Sequence, residues 1–113
     1  MPKKISRPAA TPYAGLTPAC LLDAVESTGL RCDGRLAALN SFENRVYQVW
    51  LDSGESIVAK FYRPKRWSRA AILEEHAFAQ ELAQAELPVV APLALNGSTL
   101  HEHAGFLLAL YPR

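Results

Sequence analysis

The alternation of apolar and polar positions along the chain predicts two helices separated by several short strands. Thr17-Pro18 is typical of a helix start, because threonine caps the first turn and proline is tolerated at the first helical position. Apolar positions then recur with helical spacing as far as Gly29, which predicts a short helix over residues 17–28. Residues 1–16 contain three prolines and no apolar periodicity, and we expect them to form a flexible leader.

Three predicted strands follow the first helix. Residues 36–39 are a short apolar stretch, while residues 45–51 and residues 57–62 are rich in β-branched and aromatic side chains. The segment Asp52-Ser53-Gly54-Glu55 is typical of a hairpin turn, since its glycine accepts a positive φ. Their adjacency and short connections predict an antiparallel meander.

The strongest helical pattern spans residues 68–85. A short strand is then predicted at Val89 and Val90, between two prolines, and a turn at Asn96-Gly97. Residues 105–111 form a final apolar strand. This order predicts an α+β fold, in which a five-stranded antiparallel sheet has one helix between strands three and four and a short N-terminal helix.

One charged side chain interrupts the apolar face of the long helix. At 100° per residue, Glu75 falls within a stripe of apolar residues, which are Ala71, Ile72, Phe78, Ala79 and Leu82. A carboxylate on a packed face is costly to desolvate unless a cation meets it. Glu75 is therefore expected either to be buried and paired, or to reach water from the edge of the stripe. His76 is expected on the helix surface.

A candidate cation lies in the strand that precedes this helix. A period of two places Val58, Lys60 and Tyr62 on one face of that strand. Lysine is rarely buried alone, so either this face is open to solvent or Lys60 finds an anion. An ion pair between Lys60 and Glu75 would account for both residues. Protein kinases use such a strand lysine and helix glutamate to hold the phosphates of ATP.

The last predicted strand is apolar on both faces over residues 106–111. Such a strand needs cover on both sides. Since one helix shields only one face of a sheet, we interpret this run as a sign of truncation before a second lobe. The alternative is an ordinary central strand.

Composition excludes some classes of function. The chain has 113 residues, enough for one compact domain, and a formal net charge of +1, which gives no indication of nucleic acid or a membrane as partner. No apolar run approaches the ~20 residues of a membrane helix. The two cysteines lack metal-ligand spacing, so no metal site is expected, and reduced thiols are typical of a cytoplasmic protein.

Several longer segments resemble one family of bacterial kinases. They are residues 40–48, 58–64, 66–67, 72–76, 88–92 and 96–97. Over roughly residues 16–112 the chain is similar to the YihE/RdoA-type stress-response Ser/Thr protein kinases, which have the aminoglycoside phosphotransferase-like kinase fold. The resemblance implies that residues 17–113 are the N-terminal, nucleotide-binding lobe of such a kinase, truncated at the hinge.

The resemblance implies that four residues lie near the ATP phosphates. The turn at residues 40–44, which includes Ser41 and Asn44, would cover the phosphates. Lys60 would hold the phosphates, and Glu75 would orient Lys60. The turn has no glycine, unlike the glycine-rich loop of eukaryotic-type kinases, so its backbone must approach phosphate differently.

Four further residues are implied to surround the adenine. Val46, and Val58 on the Lys60 face, would pack on the base. Leu110 and Tyr111 would lie near the hinge between the lobes, where backbone groups meet the adenine edge.

The implied reaction is a transfer of the ATP γ-phosphate to protein hydroxyls with Mg²⁺. The family's His-Gly-Asp catalytic loop and its magnesium-binding aspartate belong to a C-terminal lobe, which would also bind the protein substrate, and neither is found in these 113 residues. No catalytic residue is therefore assigned, and we expect this chain alone to be inactive. Two alternatives stay open: a small α+β protein-interaction module, and the N-lobe of a small-molecule kinase of the aminoglycoside or choline type.

Overall fold

The computed structural model describes residues 12–113. Its elements are α1 (Pro18–Glu26), β1 (Cys32–Leu39), β2 (Arg45–Leu51), β3 (Ser56–Phe61), α2 (Arg69–Gln84), β4 (His101–His103) and β5 (Phe106–Pro112). The strands form one antiparallel sheet in the order β1-β2-β3-β5-β4. The predicted α+β class, with a five-stranded sheet and a helix between strands three and four, is confirmed.

Both helices begin at side chains that satisfy free backbone donors. Thr17 Oγ1 accepts a hydrogen bond of 3.1 Å from the Cys20 N–H, and Ser68 Oγ accepts one of 3.1 Å from the Ala71 N–H. Such caps replace the hydrogen bonds that the first turn of a helix lacks. Neither α1 nor α2, the helices of the described residues, is long and apolar enough to cross a membrane.

The predicted leader is only partly described. Residues 1–11 lie outside the described residues. Tyr13 and Leu16 pack against the hydrophobic core, and the Tyr13 hydroxyl donates to the Glu43 carbonyl at 3.1 Å. Residues 12–16 therefore belong to the folded domain, in contrast to the expected boundary at residue 17.

Two strands differ from the prediction. β1 begins at Cys32 rather than Leu36, because a shift of register next to Gly34 (φ 103°) interrupts the alternation of side chains without ending the strand. The strand predicted at Val89 and Val90 is wrong, since this segment has no ladder partner. The fourth strand is instead β4, whose polar sequence has no strand signature and whose pairing with β5 is its main determinant.

The sheet has a separate apolar cluster on each face. On one face, α1 contributes Leu21, Ala24 and Val25 to a large core with residues of β2, β3 and β5. On the other face, Ile72 of α2 packs in a smaller cluster with Tyr62, Leu100 and Ala109. The two helices therefore cover opposite faces of one sheet.

β5 lies between β3 and β4 inside the sheet. Its residues Leu108, Ala109 and Leu110 are completely buried. Because α1 and α2 lie on opposite faces, apolar side chains on both faces of β5 have packing partners among the described residues. This agrees with the central-strand alternative, and truncation before a second lobe stays a prediction.

Candidate functional site

A cavity of about 460 Å³ lies on the α2 face of the sheet. Val46 is opposite Lys60 across β2 and β3, and Val58 is opposite Tyr111 across β3 and β5. Opposed residues of an antiparallel pair point to the same face, so these four side chains line one side of the cavity together. The remaining lining comes from α2 and the segments around β5, with Glu75, His76, Ala79, Val90, Pro92 and Pro112.

A second cavity of about 210 Å³ adjoins Lys60 and extends toward the turn between β1 and β2. Its lining includes Glu43 and Asn44 from that turn and Trp67 from the loop before α2. Lys60 and Glu75 line both cavities. The ammonium group is therefore placed where an apolar cavity and the turn at residues 40–44 meet.

Lys60 has an aromatic neighbour rather than a carboxylate. Its Nζ lies 5.0 Å from the centre of the Tyr62 ring. Lys60 takes part in none of the ion pairs found among residues 12–113, which are Arg35–Asp33, Arg66–Glu43 and Arg69–Glu102. The predicted ion pair between Lys60 and Glu75 is therefore absent from the described structure.

The prediction that Glu75 is buried is also wrong, because its side chain is exposed at the edge of the packed face. The buried residues of α2 are Ile72 and His76, which rotates the packed face roughly a quarter turn away from the predicted stripe. Phe78, a member of that stripe, is 61% exposed. Glu75 therefore corresponds to the second expectation, a carboxylate that reaches water.

His76 was expected on the surface but is only 2% exposed. Its Nε2 is hydrogen-bonded to the Tyr62 hydroxyl at 2.8 Å, and its Nδ1 to the Thr99 hydroxyl at 2.8 Å. Burial lowers the pKa of His76; Glu75 opposes this effect, and Lys60 and His101 add to it. A neutral imidazole has one donor and one acceptor, and hydroxyl groups can match both. The sequence near His76 contains no sign of these partners, which are 14 and 23 residues away.

The turn at residues 40–44 is held by its own polar side chains. Ser41 Oγ donates to the Asn44 carbonyl, and Asn44 Oδ1 accepts from the Arg63 N–H at 3.0 Å. Asn44 lines the smaller cavity, whereas Ser41 lines neither cavity. The bond from Ser41 stays within the turn, and the bond to Asn44 attaches the turn to the residues that follow β3.

Leu110 and Tyr111, the two residues predicted to lie near a hinge, are on opposite faces of the sheet. Tyr111 lines the large cavity, and burial raises the pKa of its hydroxyl. Leu110 belongs to the core below α1, and its carbonyl already accepts a 2.7 Å hydrogen bond from the Leu93 N–H. The side chain of Leu110 is therefore not part of the cavity, while the predicted positions of Val46, Val58 and Tyr111 are brought together there.

No cluster of metal-ligating side chains is found among the described residues. Within residues 12–113, no three His, Cys, Asp or Glu side chains are grouped so that they could hold a metal ion. Glu43, one of the carboxylates near the smaller cavity, is engaged with Arg66 at 2.9 Å.

Comparison with known proteins gives a consistent match. A family model described as "Phosphotransferase enzyme family" matches residues 35–113. Proteins named "Stress response kinase A" from Escherichia coli (strain K12) and Shigella flexneri are each 48% identical over 100 residues, which is 88% of this chain. The protein named "Serine/threonine protein kinase RdoA" from Salmonella typhimurium (strain LT2) is also 48% identical over 100 residues. The chain spans 30% of the length of each of these relatives.

Proposed function

The chain belongs to the phosphotransferase enzyme family, and from that premise we propose that it is the ATP-binding lobe of a bacterial stress-response Ser/Thr protein kinase. The whole enzyme would transfer the γ-phosphate of ATP to protein hydroxyl groups. The names of the relatives support this choice of reaction. The position of Lys60 at the junction of the two cavities is the observation that supports it most.

The large cavity suits a nucleotide in size and chemistry. Its volume of about 460 Å³ lies within the range typical of small-molecule sites. Val46 and Val58 offer an apolar surface for a flat base, and Lys60 offers a positive charge beside it. We propose that adenine packs on the valines and that the α- and β-phosphates reach the ammonium group, as in protein kinases.

Glu75 would act on Lys60 rather than on the nucleotide. In protein kinases, a lysine on the third strand and a glutamate on the following helix form an ion pair in the active state. Both residues line the same cavities here, and Glu75 is exposed and free to turn. We propose that the pair forms when nucleotide and the rest of the enzyme are in place.

Phosphoryl transfer would also need metal ligands, and no cluster of three is found among residues 12–113. A base or nucleophile-orienting residue and metal ligands are recurring parts of such sites. We propose that Mg²⁺ arrives with ATP and that the chain alone binds nucleotide without transferring phosphate.

Isothermal titration of the 113-residue chain with Mg-ATP tests this proposal. We expect measurable binding to the wild-type chain and roughly 10- to 100-fold weaker binding to Lys60→Met, because hydrogen bonds to a charged group are lost. Adenosine has no phosphates, so its affinity should be nearly the same for both chains. Lys65→Met is the matched control, since Lys65 is an exposed loop residue that lines neither cavity.

Equal affinity of the wild-type chain and Lys60→Met for Mg-ATP would remove Lys60 from the site. An equal loss of Mg-ATP affinity in Lys65→Met would show that the effect comes from the change in net charge and not from the position of Lys60. A wild-type chain that binds neither ATP nor adenosine but self-associates in sedimentation experiments would favour the interaction-module alternative.

A further inference from the structure

The ammonium group of Lys60 lies over the aromatic face of Tyr62 in the described structure. The two side chains are two residues apart on β3 and its extension, so they project to the same face of the sheet. The Lys60 Nζ lies 5.0 Å from the centre of the Tyr62 ring, a distance at which the ring attracts a cation. This contact exists although Lys60 and Glu75 are not paired.

Tyr62 itself is fixed from several sides. It is 3% exposed and packs in the cluster that contains Ile72, Leu100 and Ala109. Its hydroxyl is hydrogen-bonded to His76 Nε2 at 2.8 Å. Burial raises the pKa of Tyr62, and Tyr111 adds to this rise. The contact with Lys60 is made through the ring.

His76 extends this connection to a third segment of the chain. Its Nδ1 is hydrogen-bonded to the hydroxyl of Thr99, which is 9% exposed and lies two residues before β4. One hydrogen-bonded chain thus joins β3, α2 and the start of β4. His76 follows Glu75 directly, so the helical turn that carries Glu75 also contacts the Tyr62 hydroxyl.

We propose that Tyr62 is a positioning residue for Lys60, and that its ring is oriented by His76 and Thr99. The ring keeps the ammonium group beside the cavity before nucleotide arrives and before Glu75 can pair with it. The effect of this role on nucleotide binding rests on the proposed function. The contact between the ring and the ammonium group can be measured without any nucleotide.

Proton NMR of the ligand-free 113-residue chain provides a direct signature. Protons above the face of an aromatic ring are shifted upfield, so the ε-methylene protons of Lys60 should resonate upfield of those of Lys65. Tyr62→Leu removes the ring and should return the Lys60 signals to the ordinary position. Tyr62→Phe keeps the ring and should keep most of the shift.

Nucleotide affinity of the same variants tests the consequence. Tyr62→Leu should bind Mg-ATP roughly three- to tenfold more weakly than the wild-type chain, as expected for loss of one cation–π contact. Tyr62→Phe should lie between the two. Tyr47→Leu is the matched control, because Tyr47 is a half-buried tyrosine that packs against Phe61 in the opposite core. This control should leave the Lys60 shift and the affinity for ATP unchanged.

Unchanged Lys60 signals in a folded Tyr62→Leu chain would overturn the inference, as would an equal effect of Tyr47→Leu. If Tyr62→Leu does not fold, Thr99→Val decides the question, since it removes the hydroxyl that orients His76, the partner of the Tyr62 hydroxyl. A smaller Lys60 shift in Thr99→Val supports the role of Tyr62, and an unchanged shift overturns the chain of hydrogen bonds. Failure of the wild-type chain to bind Mg-ATP would refute the proposed function instead. The Lys60 shift would still decide whether Tyr62 positions Lys60, because it is measured without nucleotide.

Discussion

His76 is a titratable residue whose environment differs greatly between the folded and the unfolded chain. In an unfolded chain, imidazole has a pKa of about 6.5. Burial lowers the pKa of His76 in the fold, so the unfolded chain binds more protons at mildly acidic pH. The stabilising contribution of neutral His76 is fully present above about pH 6.5 and is lost as the pH falls below that value.

We therefore predict that the free energy of unfolding decreases as the pH is lowered from about 7.5 to 5.5. The slope should reach at most about 1.4 kcal/mol per pH unit for each histidine that stays neutral in the fold. Urea denaturation at a series of pH values measures this dependence. Burial also lowers the pKa of His101, so His76→Gln should flatten the curve partly and the double variant with His101→Gln should flatten it further. If the free energy of unfolding of His76→Gln depends on pH as steeply as that of the wild-type chain, this account is contradicted.

The position of Lys60 could be predicted from the sequence, whereas the burial of His76 could not. The two-residue period of β3 alone places Lys60 with Val58 on the face that lines the cavity. The burial of His76 depends on the hydroxyls of Tyr62 and Thr99, which reach it only through the tertiary fold. Because the local pattern treats a histidine as polar, it includes Ile72 in the packed face of α2 but replaces His76 by Phe78.

At the scale of elements, α2 is held to the sheet through few buried residues. Ile72 and His76 are its buried residues, while Leu73 and Phe78 are 42% and 61% exposed. Such a helix can shift against the sheet more easily than α1, which buries Leu21, Ala24 and Val25. This difference fits a proposal in which α2 moves Glu75 toward Lys60.

Two alanine substitutions in α2 test whether Phe78 belongs to the packed face together with Ile72. Ile72→Ala should lower the free energy of unfolding by about 2–5 kcal/mol, since a buried side chain is replaced by a cavity. Phe78→Ala removes a larger side chain but should change stability by at most about 0.5 kcal/mol, because the ring is mostly in solvent. Urea denaturation measures both. If Phe78→Ala lowers the free energy of unfolding more than Ile72→Ala does, Phe78 is packed, as the apolar stripe predicts.

Local signals explain why the helices were predicted more accurately than the fourth strand. Thr17 and Ser68 cap the two helices, and capping depends on residues three positions apart. β4 has three residues with polar side chains, and it is a strand because β5 lies beside it. Val89 and Val90 have strong strand propensity but find no neighbouring strand.

At the scale of the whole molecule, the two faces of the sheet have different roles. The α1 face holds a closed apolar core that includes Val49, Phe61 and Leu108. The α2 face is incompletely covered, and the space left between sheet and helix is the cavity beside Lys60. The class of the fold and the face of β3 that carries Lys60 could be predicted from strand order and period. The cavity itself depends on how α2 rests on the sheet, which the sequence pattern did not predict.

Intermolecular NOEs between bound Mg-ATP and the valine methyl groups of the chain test the central claim most directly. If the cavity binds the nucleotide, the adenine protons should give cross-peaks to Val46 and Val58, which line it. They should give none to Val49, which is completely buried in the opposite core. Cross-peaks from adenine to residues outside the cavity, with Val46 and Val58 unaffected at saturating nucleotide, would contradict the account.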